Sequence, residues 1–248
     1  MIAHLGFDLL AYLTTALLVW LTVRHLGSAS RNLPEGYGTI YFTAASMGVI
    51  TGSVLLGSAN LWLAGVEAFL AKSVLGGLVG GVIAVELLKR RFRLQGSTGA
   101  VLVIGLCFGI AIGRVGCFYG GLEDQTYGIA TSGRTLFGFH LDRLGVDFGD
   151  NQLRYPVQLF ESASLALLGL VNVALLLLRP HWLMRHGFYL FCAFYAAQRF
   201  FWEFLKPYPT FVSGLNLFQL TCIGLLCYAF AMTLQPNTNM ADRASTYG

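Results

Sequence analysis

Charged side chains lie inside or beside several long apolar stretches of the 248-residue sequence. They are Asp8, Glu67, Lys72, Glu86, Arg114, Glu161, Arg199 and Glu203. A charge within a bilayer is costly, so it usually faces protein, water or a polar ligand and indicates a functional site. Arg199 and Glu203 are four residues apart, a spacing that places them on one helix face, where they can pair. The alternative to a functional role is a satisfied intramembrane ion pair.

Glycine surrounds one of these charges. The run from Gly113 to Gly121 contains Arg114 and Gly116 and stands directly before an acidic segment. Glycine lets backbone N–H groups turn toward an anion, and the planar guanidinium of arginine matches the geometry of a phosphate. We therefore predict that Arg114 and Arg199 form a two-pronged phosphate clamp at the outer face of a membrane.

A second glycine pattern consists of the pairs Gly76-Gly77 and Gly80-Gly81. Small residues four apart let membrane helices approach each other closely. Packing alone explains this spacing, so the pattern by itself indicates no chemistry.

The composition predicts that these residues are positioned by membrane-spanning helices. Charged residues make up 11% of the chain and hydrophobic ones 56%, whereas soluble domains are about a quarter charged. This excludes a disordered chain, a coiled coil and a cytosolic enzyme. Stretches of about 20 apolar residues are long enough to span a bilayer. Seven stretches qualify: Leu5 to Val23, Gly38 to Leu56, Trp62 to Leu88, Ala100 to Phe118, Val157 to Leu178, Gly187 to Leu205 and Phe211 to Leu234.

Other classes of function leave no pattern in the sequence. The net charge of +4 comes from scattered Lys and Arg, without a basic face of the kind that binds nucleic acid. The five Cys lie in or beside apolar stretches, which disfavours a disulfide framework. Hydrolase, nucleotide-binding and metal-binding motifs are absent from the sequence. We therefore predict no cofactor, no metal site and no nucleic-acid partner.

The distribution of Lys and Arg among the loops predicts the orientation, because these residues resist translocation. One set of alternate loops contains Arg24, Arg31, Lys89, Arg90, Arg91, Arg93, Arg179, Arg185 and Arg243. The other set contains only Arg134, Arg143, Arg154 and Lys206. The amino terminus is therefore predicted outside and the carboxyl terminus in the cytoplasm. Residues 119–156 then form a small, irregular, outward-facing head within a single membrane domain, 1–248.

Three segments resemble the bacterial prolipoprotein diacylglyceryl transferases. They are Gly113-Arg114-Val115-Gly116-Cys117-Phe118, the segment Arg154 to Glu161, and the segment Tyr195 to Glu203. The resemblance implies a seven-span enzyme of the bacterial inner membrane with its amino terminus outside. Such an enzyme moves the diacylglyceryl group of phosphatidylglycerol onto the lipobox Cys thiol of a preprolipoprotein and releases glycerol phosphate.

The resemblance also implies roles for individual residues. Arg114, Arg199 and Glu203 match catalytic positions of the family. Positions that bind the substrate are matched by Gly76, Gly77, Gly113, Gly116, Gln158, Glu161 and Gln219. By this comparison both Arg hold the phosphoglycerol headgroup, and the two Glu orient Arg199 or the glycerol hydroxyls.

The chain departs from the family pattern at several positions. Leu75 stands where the family has His, Cys117 replaces Asn, Gly120-Gly121-Leu122 replaces Asn-Gly-Glu, and Tyr155 replaces a second His. Two candidate proton carriers are thus missing, although the attacking thiol must lose its proton. Glu123, Asp124, His140 or an incoming substrate thiolate are the alternatives for that step.

Three functions remain open from the sequence. The first is lipid-to-protein transfer, or transfer from the same lipid donor to another acceptor. The second is a noncatalytic phospholipid-binding protein that kept the clamp and lost the base. The third, a transporter of small solutes or ions, predicts charges at the bilayer midplane, whereas those found here cluster toward the outer half.

Overall fold

The computed structural model describes residues 2–27, 38–63, 65, 70–94, 97–124, 126–131, 135–136, 139–140, 144–211 and 213–234. Most of them are helical. The helices are α1 (Ile2–Leu26), α2 (Gly38–Leu63), α3 (Val74–Phe92), α4 (Val103–Gly120), α5 (Val157–Leu178), α6 (Pro180–Glu203) and α7 (Leu217–Leu234). Short 3₁₀ turns at Ala100–Leu102 and Gly121–Asp124 flank α4.

Among the residues that the structure describes, five helical stretches are long and apolar enough to cross a membrane. They are Leu5–Leu26, Gly38–Leu63, Ala100–Asp124, Val157–Leu178 and Leu217–Leu234. The other two helices are more polar, since α3 ends in a basic run and α6 contains several charged residues. The prediction of an all-α integral membrane protein is confirmed. The number of spans and the orientation of the termini stay predictions.

The third predicted span, Trp62 to Leu88, is wrong in its position. Helix α2 continues to Leu63, and α3 begins only at Val74. Ser73 fixes this start, because its hydroxyl accepts a hydrogen bond from the Gly76 amide at 3.2 Å. Lys72 is therefore exposed outside the helices. Glu67 lies outside the described residues.

The chain divides into two compact units. Unit 1 consists of Met1–Leu26 and Gly99–Tyr208, and unit 2 of Gly27–Thr98 and Pro209–Gly248. In unit 1, α4 packs against both α1 and α5, and α5 packs against α6. Gly105 permits the approach of α1, because a Cβ at this position would come within 2.8 Å of the Thr15 carbonyl oxygen. The interpretation of 1–248 as one membrane domain stays a prediction.

Unit 2 contains α2, α3 and α7, and its α2–α3 interface is built on glycine. A Cβ at Gly80 would overlap the backbone of Gly48 and Gly52, and one at Gly76 would overlap Gly52. These glycines let the two helix backbones touch. The packing interpretation is therefore confirmed for Gly76 and Gly80. Gly77 is buried too, with ordinary contact to Val49.

The segment predicted as an irregular head contains short antiparallel pairs of strands. β1 (Thr135–Leu136) pairs with β2 (Phe139–His140), and β3 (Val146–Asp147) pairs with β4 (Leu153–Arg154). The head is also joined to the turn that follows α6, because the Ile129 amide donates to the Leu205 carbonyl at 2.7 Å. This bond lies at the end of α6 that carries the charged residues.

Candidate functional site

Five charged side chains meet inside unit 1. Arg114 comes from α4, Glu161 from α5, and Arg199 and Glu203 from α6, while Lys206 follows α6 directly. All are buried: the side chains of both Arg are 10% exposed, Glu161 is 2% exposed, and Glu203 and Lys206 are fully enclosed. We call these residues the ionic cluster.

Glu161 is at the centre of the ionic cluster. One carboxylate oxygen, Oε2, meets Arg114 Nε, and the other, Oε1, meets Arg199 Nη1. Oε1 also lies 2.7 Å from Lys206 Nζ. Glu203 Oε1 lies 2.7 Å from Arg199 Nη2 and 3.3 Å from Lys206 Nζ. The predicted pairing of Arg199 with Glu203 is thus confirmed, and Glu161 brings Arg114 into the same cluster.

Helical spacing delivers these side chains to one place. On α5, Val157, Gln158, Glu161, Leu165 and Leu168 form a buried stripe in steps of three and four residues. The buried stripe of α6 contains Cys192, Tyr195, Ala196, Arg199 and Glu203. Each charge therefore lies on the buried, mostly apolar packing face of its helix, at the head-proximal end.

The ionic cluster has three cations and two carboxylates, so it carries a formal charge of +1. Arg114 Nη2 is buried and has no hydrogen-bond partner among the described residues. A buried donor of this kind is costly unless a ligand or water satisfies it. An excess of positive charge with a spare guanidinium donor suits a phosphate.

Two polar side chains, Gln158 and Cys117, lie beside the ionic cluster. Gln158, one turn before Glu161, is completely buried, and neither atom of its carboxamide has a hydrogen-bond partner within the described part of the chain. Cys117 Sγ accepts a hydrogen bond from Arg114 Nη1 at 3.4 Å, and the same thiol is hydrogen-bonded to Asp124. The Cys117 thiol thus links the ionic cluster to an acidic residue at the edge of the head.

The glycine-rich run differs from its prediction. Gly113 and Gly116 lie within α4, where helical hydrogen bonds engage their N–H groups, so no backbone turn toward an anion forms there. A Cβ at Gly113 would meet no neighbouring atom within 4 Å, whereas a Cβ at Gly116 would overlap the Cβ of Phe7. The positive φ occurs only at Gly121, where α4 ends. A substrate contact by Gly113 or Gly116 stays a prediction.

Three predicted substrate residues lie in unit 2, and the structure gives two of them a local role. Gln219 Oε1 accepts from the Asn216 amide at 2.9 Å, and the Gln219 amide donates to Asn216 Oδ1 at 2.8 Å. This reciprocal pair is a capping box that starts α7. Gly76 packs against Gly52 as described above. Substrate binding by Gly76, Gly77 and Gln219 stays a prediction.

Lys206 is the site residue that the sequence interpretation missed. The sequence analysis counts it only as a charge in an outward loop, and the structure buries its amine between Glu161 and Glu203. The available signal was its position three residues after Glu203, one helical turn along the same face.

The structure links one candidate for the missing proton carrier, Asp124, to the ionic cluster through Cys117. Glu123 is exposed, Asp124 is hydrogen-bonded by the Thr126 hydroxyl as well as by Cys117, and the side chain of His140 lies outside the described part of the structure. Leu75, at the family's His position, is 1% exposed and packs as a core residue. Within the described ranges, no group of three or more His, Cys, Asp or Glu could hold a metal ion.

These features define a helical membrane protein in which a cluster of five buried charged residues is centred on Glu161. The family model of the prolipoprotein diacylglyceryl transferases matches residues 7–235, nearly the whole chain, and the protein belongs to this family. The resemblance inferred from the sequence is thereby confirmed, and with it a transferase at the level of the family. A search of curated proteins finds no match.

Proposed function

We propose that this protein transfers the diacylglyceryl group of phosphatidylglycerol to the Cys thiol of a preprolipoprotein. Family membership supports a lipid substrate and a lipoprotein acceptor. The observation that carries the proposal is the excess of cations over carboxylates in the ionic cluster, together with the spare Nη2 donor of Arg114. A buried site of that charge favours an anionic headgroup over a zwitterionic one.

The proposed reaction is a displacement at the glycerol carbon of the lipid. The thiolate sulfur of the acceptor forms a C–S bond as the C–O bond to the phosphate breaks, and the electron pair leaves with glycerol phosphate. Negative charge grows on the leaving phosphate, where fixed cations in a site of low dielectric stabilise it most. Arg114 and Arg199 supply that charge, while Glu161 and Glu203 fix the orientation of the Arg199 guanidinium.

The thiol proton needs an acceptor, because the thiolate is the nucleophile. Asp124 is our candidate, since its hydrogen bond to Cys117 places a carboxylate two contacts from Arg114. Glu123 and His140 are the alternatives. Leu75 has no titratable group, so it takes no part in this step.

The proposed location is the bacterial inner membrane, with the amino terminus and the head outside and the carboxyl terminus in the cytoplasm. In this orientation the ionic cluster lies toward the outer leaflet, because Arg114, Glu161 and Glu203 all occupy the head-proximal ends of their helices. A secreted preprolipoprotein would present its thiol on that side.

The test is transfer from labelled phosphatidylglycerol to a lipobox peptide by the purified protein, with Arg114→Ala and Arg199→Ala as variants. We expect each variant to lose at least about a hundredfold in rate, as for removal of a group that stabilises transition-state charge. Arg90→Ala, an exposed residue at the cytoplasmic end of α3, is the matched control. Full transfer by both variants would refute the role of the ionic cluster.

The same assay separates the alternatives. Lipid binding without transfer to any lipobox peptide would favour a noncatalytic phospholipid-binding protein or a different acceptor. Binding is measured directly with a fluorescent phosphatidylglycerol in mixed micelles, with phosphatidylcholine as the zwitterionic comparison.

A further inference from the structure

Lys206 occupies an unusual position for a lysine. Its side chain is completely enclosed, and its amine contacts both carboxylates of the ionic cluster, Glu161 Oε1 at 2.7 Å and Glu203 Oε1 at 3.3 Å. A buried ammonium persists only where paired carboxylates replace its hydration. Arg199 also contacts both carboxylates, but through its guanidinium group. Lys206 contacts them through a single ammonium group.

The charges of the ionic cluster show what this amine contributes. Without Lys206, two arginines would face two carboxylates, and each guanidinium would be neutralised. With Lys206, one positive charge is in excess. Asp124 is the next acid, but it is partly exposed and hydrogen-bonded by Thr126, so solvent screens its effect more than that of the buried groups.

The backbone holds Lys206 in this position. The Lys206 amide donates to the Glu203 carbonyl at 3.1 Å, which continues the last turn of α6. The preceding residue, Leu205, accepts the hydrogen bond from Ile129 in the stretch that leads to the head. These two backbone hydrogen bonds hold the turn that places the Lys206 amine against the carboxylates.

We propose that Lys206 is a positioning residue that prepares the ionic cluster for an anionic phosphate headgroup. Its amine occupies Glu161 Oε1 and Glu203 Oε1, which leaves the Nη2 edge of Arg114 for the ligand and provides the excess charge. This inference rests on the proposed function in that the anion is the phosphate of the donor lipid. Lys206 itself acts through the two carboxylates and does not contact the reacting atoms.

The test compares Lys206→Met with Lys206→Arg in purified protein. The KM for phosphatidylglycerol, as its mole fraction in mixed micelles, and kcat are measured separately, and binding of a fluorescent phosphatidylglycerol is followed directly. We expect Lys206→Met to raise KM and weaken binding at least about tenfold, with a smaller change in kcat, as for loss of one partner in a buried charged contact. Lys206→Arg should restore most of the KM and of the lipid affinity. Lys72→Met, at an exposed lysine, should leave the KM and the lipid affinity unchanged.

A compensating variant separates charge from folding. Lys206→Met removes the ammonium that lies between two buried carboxylates and risks unfolding, whereas Lys206→Met with Glu203→Gln returns the ionic cluster to a charge of +1. We expect this double variant to fold and to bind the lipid more tightly than Lys206→Met. A folded double variant that binds no better, an unchanged KM in folded Lys206→Met, or failure of Lys206→Arg to rescue would overturn the proposal.

The binding arm keeps this inference distinct from the proposed function. If the wild-type protein binds phosphatidylglycerol but transfers nothing, the transfer proposal fails while the Lys206 comparison is still decided by affinity. If the wild type transfers normally and Lys206→Met keeps its affinity, the inference about Lys206 fails and the transfer proposal stands.

Discussion

Arg114 on α4 and Glu161 on α5 form a buried ion pair between two neighbouring helices of unit 1. The same carboxylate also contacts two cations at the end of α6, so the cluster ties three helices together within an apolar surrounding. A buried ion pair adds little to the free energy of unfolding, because desolvation offsets the attraction. Removal of one partner is nevertheless strongly destabilising, because the remaining charge is buried without a partner.

Replacement of Glu161 by Gln tests this relationship. The change would leave three buried cations facing one carboxylate, and we expect it to lower the free energy of unfolding by about 3–5 kcal/mol. Thermal unfolding in detergent micelles measures the effect, with Glu123→Gln, at an exposed position of the 3₁₀ turn after α4, as the matched control. An unchanged melting temperature in Glu161→Gln would contradict the ionic cluster as described.

Close packing of α2 and α3 gives a second prediction. Gly80→Ala places a Cβ against the backbone of Gly48 and Gly52, which cannot move aside as a flexible side chain would, and overpacking costs about 1–3 kcal/mol. Gly224→Ala on α7 is the control, because a Cβ there meets no described atom within 4 Å apart from its chain neighbours and the backbone of its own helix. Gly80→Ala should lower the melting temperature and Gly224→Ala should not. Equal melting temperatures would show that the interface has room.

The pairing within α6 could be predicted from the sequence, whereas the centre of the site could not. The spacing of Arg199 and Glu203 fixes their proximity through helix geometry alone. The contact of Glu161 with Arg114 and Arg199 depends on which faces of three helices pack together, and apolar periodicity does not determine this. The sequence gives Lys206 only as a loop charge, because a count of Lys and Arg between spans carries no information on burial or pairing.

The sequence predicts that α2 and α3 exist, but it does not predict where one ends and the other begins. Hydropathy joined the end of α2 to the start of α3 at Trp62 to Leu88, because the intervening residues are also largely apolar. The break is marked by the hydroxyl of Ser73, a single local hydrogen bond that composition does not detect. The capping box of Asn216 and Gln219 likewise marks a helix start by local hydrogen bonds. Hydropathy does not detect it, although its three-residue spacing is visible in the sequence.

The head supplies a prediction on pH. Arg154 donates through Nε to Asp150 Oδ2 at 2.8 Å, and this hydrogen bond, aided by the opposite charge, lowers the pKa of the Asp150 carboxyl. A lowered pKa in the folded state means that the contribution to stability is complete above the unfolded value, near pH 4, and is lost as pH falls through the folded value. The β3–β4 turn should therefore loosen below about pH 4.

Hydrogen exchange at the Gln152 amide measures this loosening, after correction for the intrinsic pH dependence of exchange. That amide donates to Asp150 Oδ1 at 3.3 Å, so it reports directly on the carboxylate. In Asp150→Asn the protection should be lower at neutral pH and should no longer change across the acid range. Identical pH profiles for the two proteins would show that the pair does not hold the turn.

Gln158 gives the prediction that best separates a binding role from a structural one. Its carboxamide is completely buried and has no hydrogen-bond partner among the described residues, a state that costs about 1–3 kcal/mol. Gln158→Leu should therefore keep or raise the melting temperature while it weakens binding of phosphatidylglycerol. Gln198→Leu on α6 is the comparison: Gln198 Oε1 accepts from Ser164 at 3.1 Å, whereas its Nε2 is buried without a partner among the described residues. Loss of the hydrogen bond costs about 0.5–1.5 kcal/mol and removal of the unpaired donor offsets it, so this change should alter stability little. If Gln158→Leu lowers the melting temperature and leaves lipid affinity unaltered, the amide is structural and contacts no headgroup.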